Sequence, residues 1–141
     1  MNSTPLSNTD KPYQKPTKRI LIVEDDPLMG LLLQDMLELF GYDVAPIPTL
    51  VEDALDLIRY EPFDAAILDV NLRGWNSYEL AEKLNTMNKP FLFATAYPQN
   101  SLPPAYQKCR LLQKPYDIHE LKAELAAIFQ TDLKSKLDLI D

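Results

Sequence analysis

Three acidic residues, Glu24, Asp25 and Asp26, follow the aliphatic run Ile20–Val23 and stand directly before Pro27. Adjacent carboxylates repel and raise one another's pKa, so the run costs stability unless positive charge is held against it. Asp26 has an ordinary explanation: a carboxylate followed by proline is a good helix start, an N-cap with proline at the first helical position. Glu24 and Asp25 have none. Three further residues of chemical interest close apolar stretches downstream. Asp69 ends "FDAAILD", with Asn71 and Gly74 just beyond; Thr95 ends "PFLFAT"; Lys114 follows "RLLQ" and precedes Pro115. Mg²⁺ takes oxygen ligands, usually one or two carboxylates with several waters retained. A metal and an ammonium together would neutralise a phosphoryl group carried on a nucleophilic aspartate.

These residues act together only if the chain brings them to one place. Short apolar runs alternate with segments of helical period. Ile20–Val23, a weak "YDVAPI", "FDAAILDV", "PFLFAT" and "RLLQ" read as five strands. Leu28, Leu32, Met36 and Phe40, flanked by Met29, Leu33 and Leu37, predict a first helix stopped at Gly41. Leu50, Ala54, Leu55 and Ile58 predict a second, ended by Pro62. Asn76 with Glu79 reads as a capping box opening a third through Leu80, Ala81 and Leu84. Asp117 with Glu120 opens the last, through Ile118, Leu121, Leu125 and Ile128. "AYPQNSLPPAYQK" carries three prolines, so a fourth helix there should be short or irregular. Such alternation predicts an α/β fold: a parallel sheet with right-handed crossovers and helices on both faces. The strands are apolar without alternation, as burial on both faces requires. Chemistry in such folds sits beyond the carboxyl ends of the strands, where Glu24, Asp25, Asp69, Thr95 and Lys114 all fall.

Composition narrows the function classes. The chain has 141 residues, 46% hydrophobic and 25% charged, and a formal net charge of -7. That is one domain's worth of core, and the sign opposes nucleic-acid binding, which wants basic surface for the phosphates. One cysteine, Cys109, permits no intramolecular disulfide or Cys-rich zinc site. No stretch reads as a signal peptide or a membrane span, so a cytoplasmic location is expected. Residues 1–16, punctuated by Pro5, Pro12 and Pro16, read as a disordered tail. Residues 17–130 read as the domain, and 131–141 as an extension able to continue the last helix, with Leu133, Leu137 and Ile140 on one face. Three glycines cannot build a Walker loop or a dinucleotide fingerprint. His119, in the first turn of the last helix, is expected at the surface, and Trp75 reads either as a loop residue near Asp69 or, as readily, as a structural packing residue.

For any one acid, a helix cap or a solvated loop is the commoner explanation. Independent caps would not also place a threonine at the end of one strand and a Lys-Pro pair after the next. In "VEDD", "LDVNLRG", "FAT" and "KP", in that order and at those strand ends, the chain resembles the receiver domains of two-component response regulators over roughly residues 17–130. The resemblance implies a flavodoxin-like fold with strand order 2-1-3-4-5. It implies Asp69 as phosphoacceptor, Glu24 and Asp25 as the acidic pair, and the Asn71 backbone carbonyl as a further ligand of Mg²⁺ or Mn²⁺. Thr95 and Lys114 would bind the phosphoryl oxygens. Glu24 stands where aspartate is commoner, and its extra methylene suits contact to the metal through water. Receivers usually carry Tyr or Phe three residues before the lysine, where this chain has Leu111. With "FATAYP", that departure resembles the FATGUY subgroup of single-domain receivers, although Ala96 replaces the motif's glycine. The subgroup resemblance implies a histidine kinase of the HWE type as phosphodonor.

The function expected is therefore a stand-alone receiver that takes a phosphoryl group on Asp69 and signals to a protein partner, with no catalysis beyond its own phosphorylation and dephosphorylation. Two other readings stand beside it. A haloacid dehalogenase-type phosphohydrolase would want an acid two residues after the nucleophile, where this chain has Asn71. A non-phosphorylated adaptor would have no use for the full set of acids, Thr95 and Lys114.

Overall fold

The structure, a computed structural model, describes residues 17–48, 50–73 and 75–138. The proposed tail at 1–16, Gly74 and Ile140 lie outside the described residues.

The chain runs β1 (Arg19–Val23), α1 (Pro27–Leu39), β2 (Asp43–Val44), α2 (Val51–Tyr60) and β3 (Ala65–Asp69). It continues with β4 (Asn71–Leu72), β5 (Trp75–Asn76), α3 (Tyr78–Thr86), β6 (Phe91–Thr95), β7 (Leu111–Gln113) and α4 (Ile118–Asp138). The main sheet is parallel, in the order β2-β1-β3-β6-β7. Counted along the chain within that sheet, this is the expected order 2-1-3-4-5, with helices on both faces.

Side chains alternate across the sheet and divide the core in two. Leu21, Val23, Ala66, Leu68 and Phe93 pack with Ala54 and Ile58 of α2 and with Leu80, Ala81 and Leu84 of α3. Ile20, Ile22, Ala65, Ile67, Leu92 and Leu112 pack with Leu33 and Leu37 of α1 and with Leu121, Leu125 and Ile128 of α4. Full burial of each Leu, Ile, Val or Phe among them stabilises the fold by about 1.5–3 kcal/mol. Together the two layers hold the strand ends in fixed register.

Helix starts follow the sequence chemistry, with one shift. The Asp26 carboxylate accepts from the backbone N–H of Leu28 (3.0 Å) and Met29 (3.4 Å), and Asp117 accepts from that of Glu120 (2.8 Å). At α3 the capping box does not form as expected. Asn76 accepts from the Tyr78 N–H (3.1 Å), and the N-cap is Ser77, one residue later, without a side-chain cap bond. The cause is a hairpin that the sequence did not signal: β4 pairs antiparallel with β5 and carries the chain through Asn76, after which the Ser77 N–H donates to the Val70 carbonyl (3.0 Å). The first helix is also rotated from expectation. Gly30, Leu33 and Leu37 face inward, while Leu28 (74%) and Leu32 (51%) remain exposed. It ends at Phe40 with Gly41 at φ +90°, the left-handed position glycine takes at low cost.

The proline-rich stretch between β6 and β7 forms two single 3-10 turns, Gln99–Ser101 and Pro104–Tyr106. Side-chain amides brace it: Gln99 donates to the carbonyls of Gln107 (2.7 Å) and Cys109 (3.2 Å), and Gln107 to those of Leu102 (2.9 Å) and Asn100 (3.4 Å). Tyr106 is stacked on Tyr78 at 5.1 Å between ring centroids, edge-on to Phe93. The helix α4 continues to Asp138, with Leu133 and Leu137 of the C-terminal extension exposed.

Candidate functional site

Four strand ends supply the site. Glu24 and Asp25 leave β1, Asp69 is the last residue of β3, Thr95 the last of β6, and Lys114 follows β7. Asp69 stands opposite Ala94 in the β3–β6 register, so Thr95 lies one residue beyond it on the neighbouring strand. The Lys114 N–H donates to the Thr95 carbonyl (2.8 Å), which extends the β6–β7 ladder into the site. The Lys114–Pro115 peptide is cis.

The side chains converge. Lys114 Nζ donates to Glu24 Oε1 (3.1 Å) and to Asp69 Oδ2 (3.2 Å). These groups are largely withdrawn from water, with Lys114 25%, Glu24 9% and Asp69 12% exposed in their side chains. One carboxylate oxygen from each of Glu24, Asp25 and Asp69 lies within 4.8 Å of the others. Asn71 heads β4, and its N–H donates to Asp69 Oδ1 (3.3 Å). Thr95 is buried, and its Oγ1 accepts the Tyr97 N–H (3.1 Å). That bond leaves the hydroxyl proton available for donation.

Electrostatics report an excess of negative charge. Burial pushes the Glu24 pKa above its ordinary value; hydrogen bonding and repulsion from Asp69 push it further, and Lys114 opposes them. Burial alone would lower the Lys114 pKa, but the carboxylates of Asp69 and Glu24 outweigh it and hold the ammonium above the ordinary lysine value. Tyr116 borders the cluster, its phenol pushed up by burial first and then by Glu24 and Asp69, against Lys114. Lys114 serves two of the three acids, Glu24 and Asp69.

The donor set suits a small hard cation. Six-coordinate Mg²⁺ holds oxygens about 2.1 Å away and thus about 3–4 Å from each other. Oxygens within 4.8 Å of one another would close by no more than about 2 Å to reach that spacing.

Sequence reasoning missed one participant. Arg73, in the turn between β4 and β5, places Nε 3.5 Å from Asp25 Oδ2. Only the "LDVNLRG" spacing, which sets an arginine four residues past Asp69, could have signalled it. His119 is exposed as expected, whereas Trp75 lies in strand β5, paired with Leu72, and not in a loop. Leu111, where an aromatic residue is usual, lies partly buried against Phe93 and its neighbours.

The chain belongs to the response regulator receiver domain family, whose match covers residues 20–126. Such domains are modules of two-component systems, phosphorylated on aspartate, and bind Mg²⁺ at an acidic pocket. The transcriptional regulatory protein CrdR of Helicobacter pylori is 31% identical over 121 residues, covering 82% of this chain. This chain spans just over half of that protein's length, 56%. Among solved structures, SdrG from Sphingomonas melonis Fr1 is 38% identical with a TM-score of 0.71, covering 80% of this chain and 97% of the other. TrrA from Thermotoga maritima, in complex with Mg²⁺ and BeF, is 26% identical with a TM-score of 0.70, covering 79% and 99%. Among the described residues, no helix is long and apolar enough to cross a membrane.

Proposed function

We propose that Asp69 is the phosphoacceptor of this receiver, that Glu24, Asp25, Asp69 and the Asn71 carbonyl hold Mg²⁺ (or Mn²⁺), and that the donor is a histidine kinase of the HWE type. The observation that carries this reading is the bidentate position of Lys114, bonded to both Glu24 and Asp69 beside a third carboxylate. An Asp69 carboxylate oxygen attacks the phosphorus, the P–N bond of a phosphohistidine breaks as the O–P bond forms, and the electron pair leaves with the imidazole. Lys114, already bonded to Asp69, pairs with a phosphoryl oxygen as the carboxylate becomes an acyl phosphate. Thr95 donates its hydroxyl proton to a second oxygen while still accepting from Tyr97. A divalent ion bound by the acids supplies the charge neutralisation that lets a phosphoryl dianion approach them.

The signal then leaves through the Thr95–Tyr97 bond into residues 96–108. With Leu111 in the position of the usual aromatic, no ring can rotate into space vacated by Thr95. Together with "FATAYP", this supports placement in the FATGUY subgroup, whose members resemble partners of HWE-type kinases. The output is a change in protein–protein contact, with no chemistry beyond uptake and loss of the phosphoryl group.

Incubation with acetyl phosphate and Mg²⁺, read by intact mass, tests the reading. A single phosphoryl adduct is expected on the wild type and none on Asp69→Asn or in chelator. Full labelling in either of those two conditions would refute it.

A further inference from the structure

The three acids are divided between two cations of opposite character. Lys114 holds Glu24 and Asp69 through short, sheltered bonds. Asp25 is paired with Arg73 across 3.5 Å, and that guanidinium is 80% exposed. Arg73 occupies the left-handed region, at φ +46°, where an L-residue with a Cβ sits at a cost. Its placement in the β4–β5 turn, four residues beyond Asp69, hangs the side chain over Asp25. It also lines the rim of a cleft of about 520 Å³ shared with Glu24, Asp25, Leu31 and Leu72.

We infer that Arg73 is the resident counter-ion of Asp25, which a divalent cation must displace, so that this residue sets how tightly the site takes the ion. The inference rests on the reading of the acids as a metal site. Arg73 suits the role because it is weakly held: an exposed ion pair is screened by salt and contributes little, so it yields to a divalent ion. Lys114, bonded twice and sheltered, stays where the phosphoryl group needs it. Without Arg73, Asp25 would keep its full charge for the incoming ion and the site would bind more tightly.

Isothermal titration of the full chain with MgCl₂ at low ionic strength separates this role from a general effect of charge. Arg73→Gln should tighten Mg²⁺ binding about two- to five-fold, the range an exposed pair allows. Arg73→Lys, which keeps the charge, should stay near wild type. Lys108→Gln makes the same change in net charge at an exposed position by the opposite end of the sheet, and should leave the affinity nearly unchanged. Raising the salt should shrink the gap between Arg73→Gln and wild type. An Arg73→Gln chain that binds no more tightly than wild type, or a Lys108→Gln chain that gains equally, overturns the inference and leaves the metal site standing. A wild type that takes up no Mg²⁺ overturns both.

Discussion

Asp25→Asn isolates the cost of crowding three acids, because Asp25 is the one not bonded to Lys114 in this arrangement. Its oxygen lies within 4.8 Å of oxygens on both Glu24 and Asp69. At that separation, with an effective dielectric constant near 20, each repulsion amounts to about 3.5 kcal/mol, or roughly 7 kcal/mol for the two. Most of this is lost to solvent, because the Asp25 side chain is 27% exposed and Arg73 offsets part of its charge. A net gain of about 1–2 kcal/mol is expected on neutralisation, with about 3–4 °C in melting temperature per kcal/mol for a chain of this size. In chelator, Asp25→Asn should therefore melt about 3–8 °C above wild type. Mg²⁺ should close most of that lead. A ligand present at a hundred times its Kd stabilises the wild type by about 2.7 kcal/mol, and the variant, short of one carboxylate ligand, should recover less than half of that. Thermal unfolding followed by circular dichroism, with EDTA and then with rising MgCl₂, measures both quantities. A variant that melts below wild type in EDTA, or gains as much from Mg²⁺, would refute the reasoning.

Three other outcomes are expected. Burial, and then Asp69, hold the Glu24 proton above its ordinary value of 4.5, so the folded state binds that proton more tightly than the unfolded chain. In chelator, that contribution to stability should grow as pH falls from above the raised pKa toward 4.5, while Mg²⁺ affinity falls over the same window; in Glu24→Gln both pH dependences should weaken when compared by thermal melts and titration calorimetry. Leu84→Ala, at a fully buried position on α3, should cost about 2–5 kcal/mol in urea unfolding with the m-value unchanged. Amide exchange in residues 96–108 should be faster than in α1 and should slow on phosphorylation; equal rates, or no response, would remove that segment from the signalling path.

The sheet was readable because both its faces are buried, which leaves uninterrupted apolar strands such as Ala65–Leu68 with polar residues at their carboxyl ends. The same end rule brought Glu24, Asp25, Asp69, Thr95 and Lys114 to one edge. The face of α1 was not readable. With leucines at 28, 31, 32, 33, 37 and 39, the helix is apolar almost all round, so periodicity defines no single inward stripe. Packing chose Gly30, where an added Cβ would meet the Ile47 side chain at an ordinary contact distance of 3.7 Å, together with Leu33 and Leu37. The hairpin of β4 and β5 was hidden because two-residue strands carry no periodicity at all, and its presence moved the α3 cap from Asn76 to Ser77. The Arg73–Asp25 pair was hidden for a different reason: a long side chain reaches partners that spacing along the backbone does not fix.

The sheet keeps two separate layers of packing, one under α2 and α3 and the other under α1 and α4. Because a strand side chain points to one layer only, a volume change at Ile22 is felt by Leu33 and Leu37's layer, and one at Leu21 by the layer of Ala54 and Leu80. Substitutions in different layers share few neighbours, so their stability effects should add, and those within one layer should couple. The consequence is evolutionary modularity. A substitution that reshapes the packing under one outer surface leaves the packing under the opposite one unchanged. Only the carboxyl edge, where four of the five strands deliver residues to one site, is held by both layers at once.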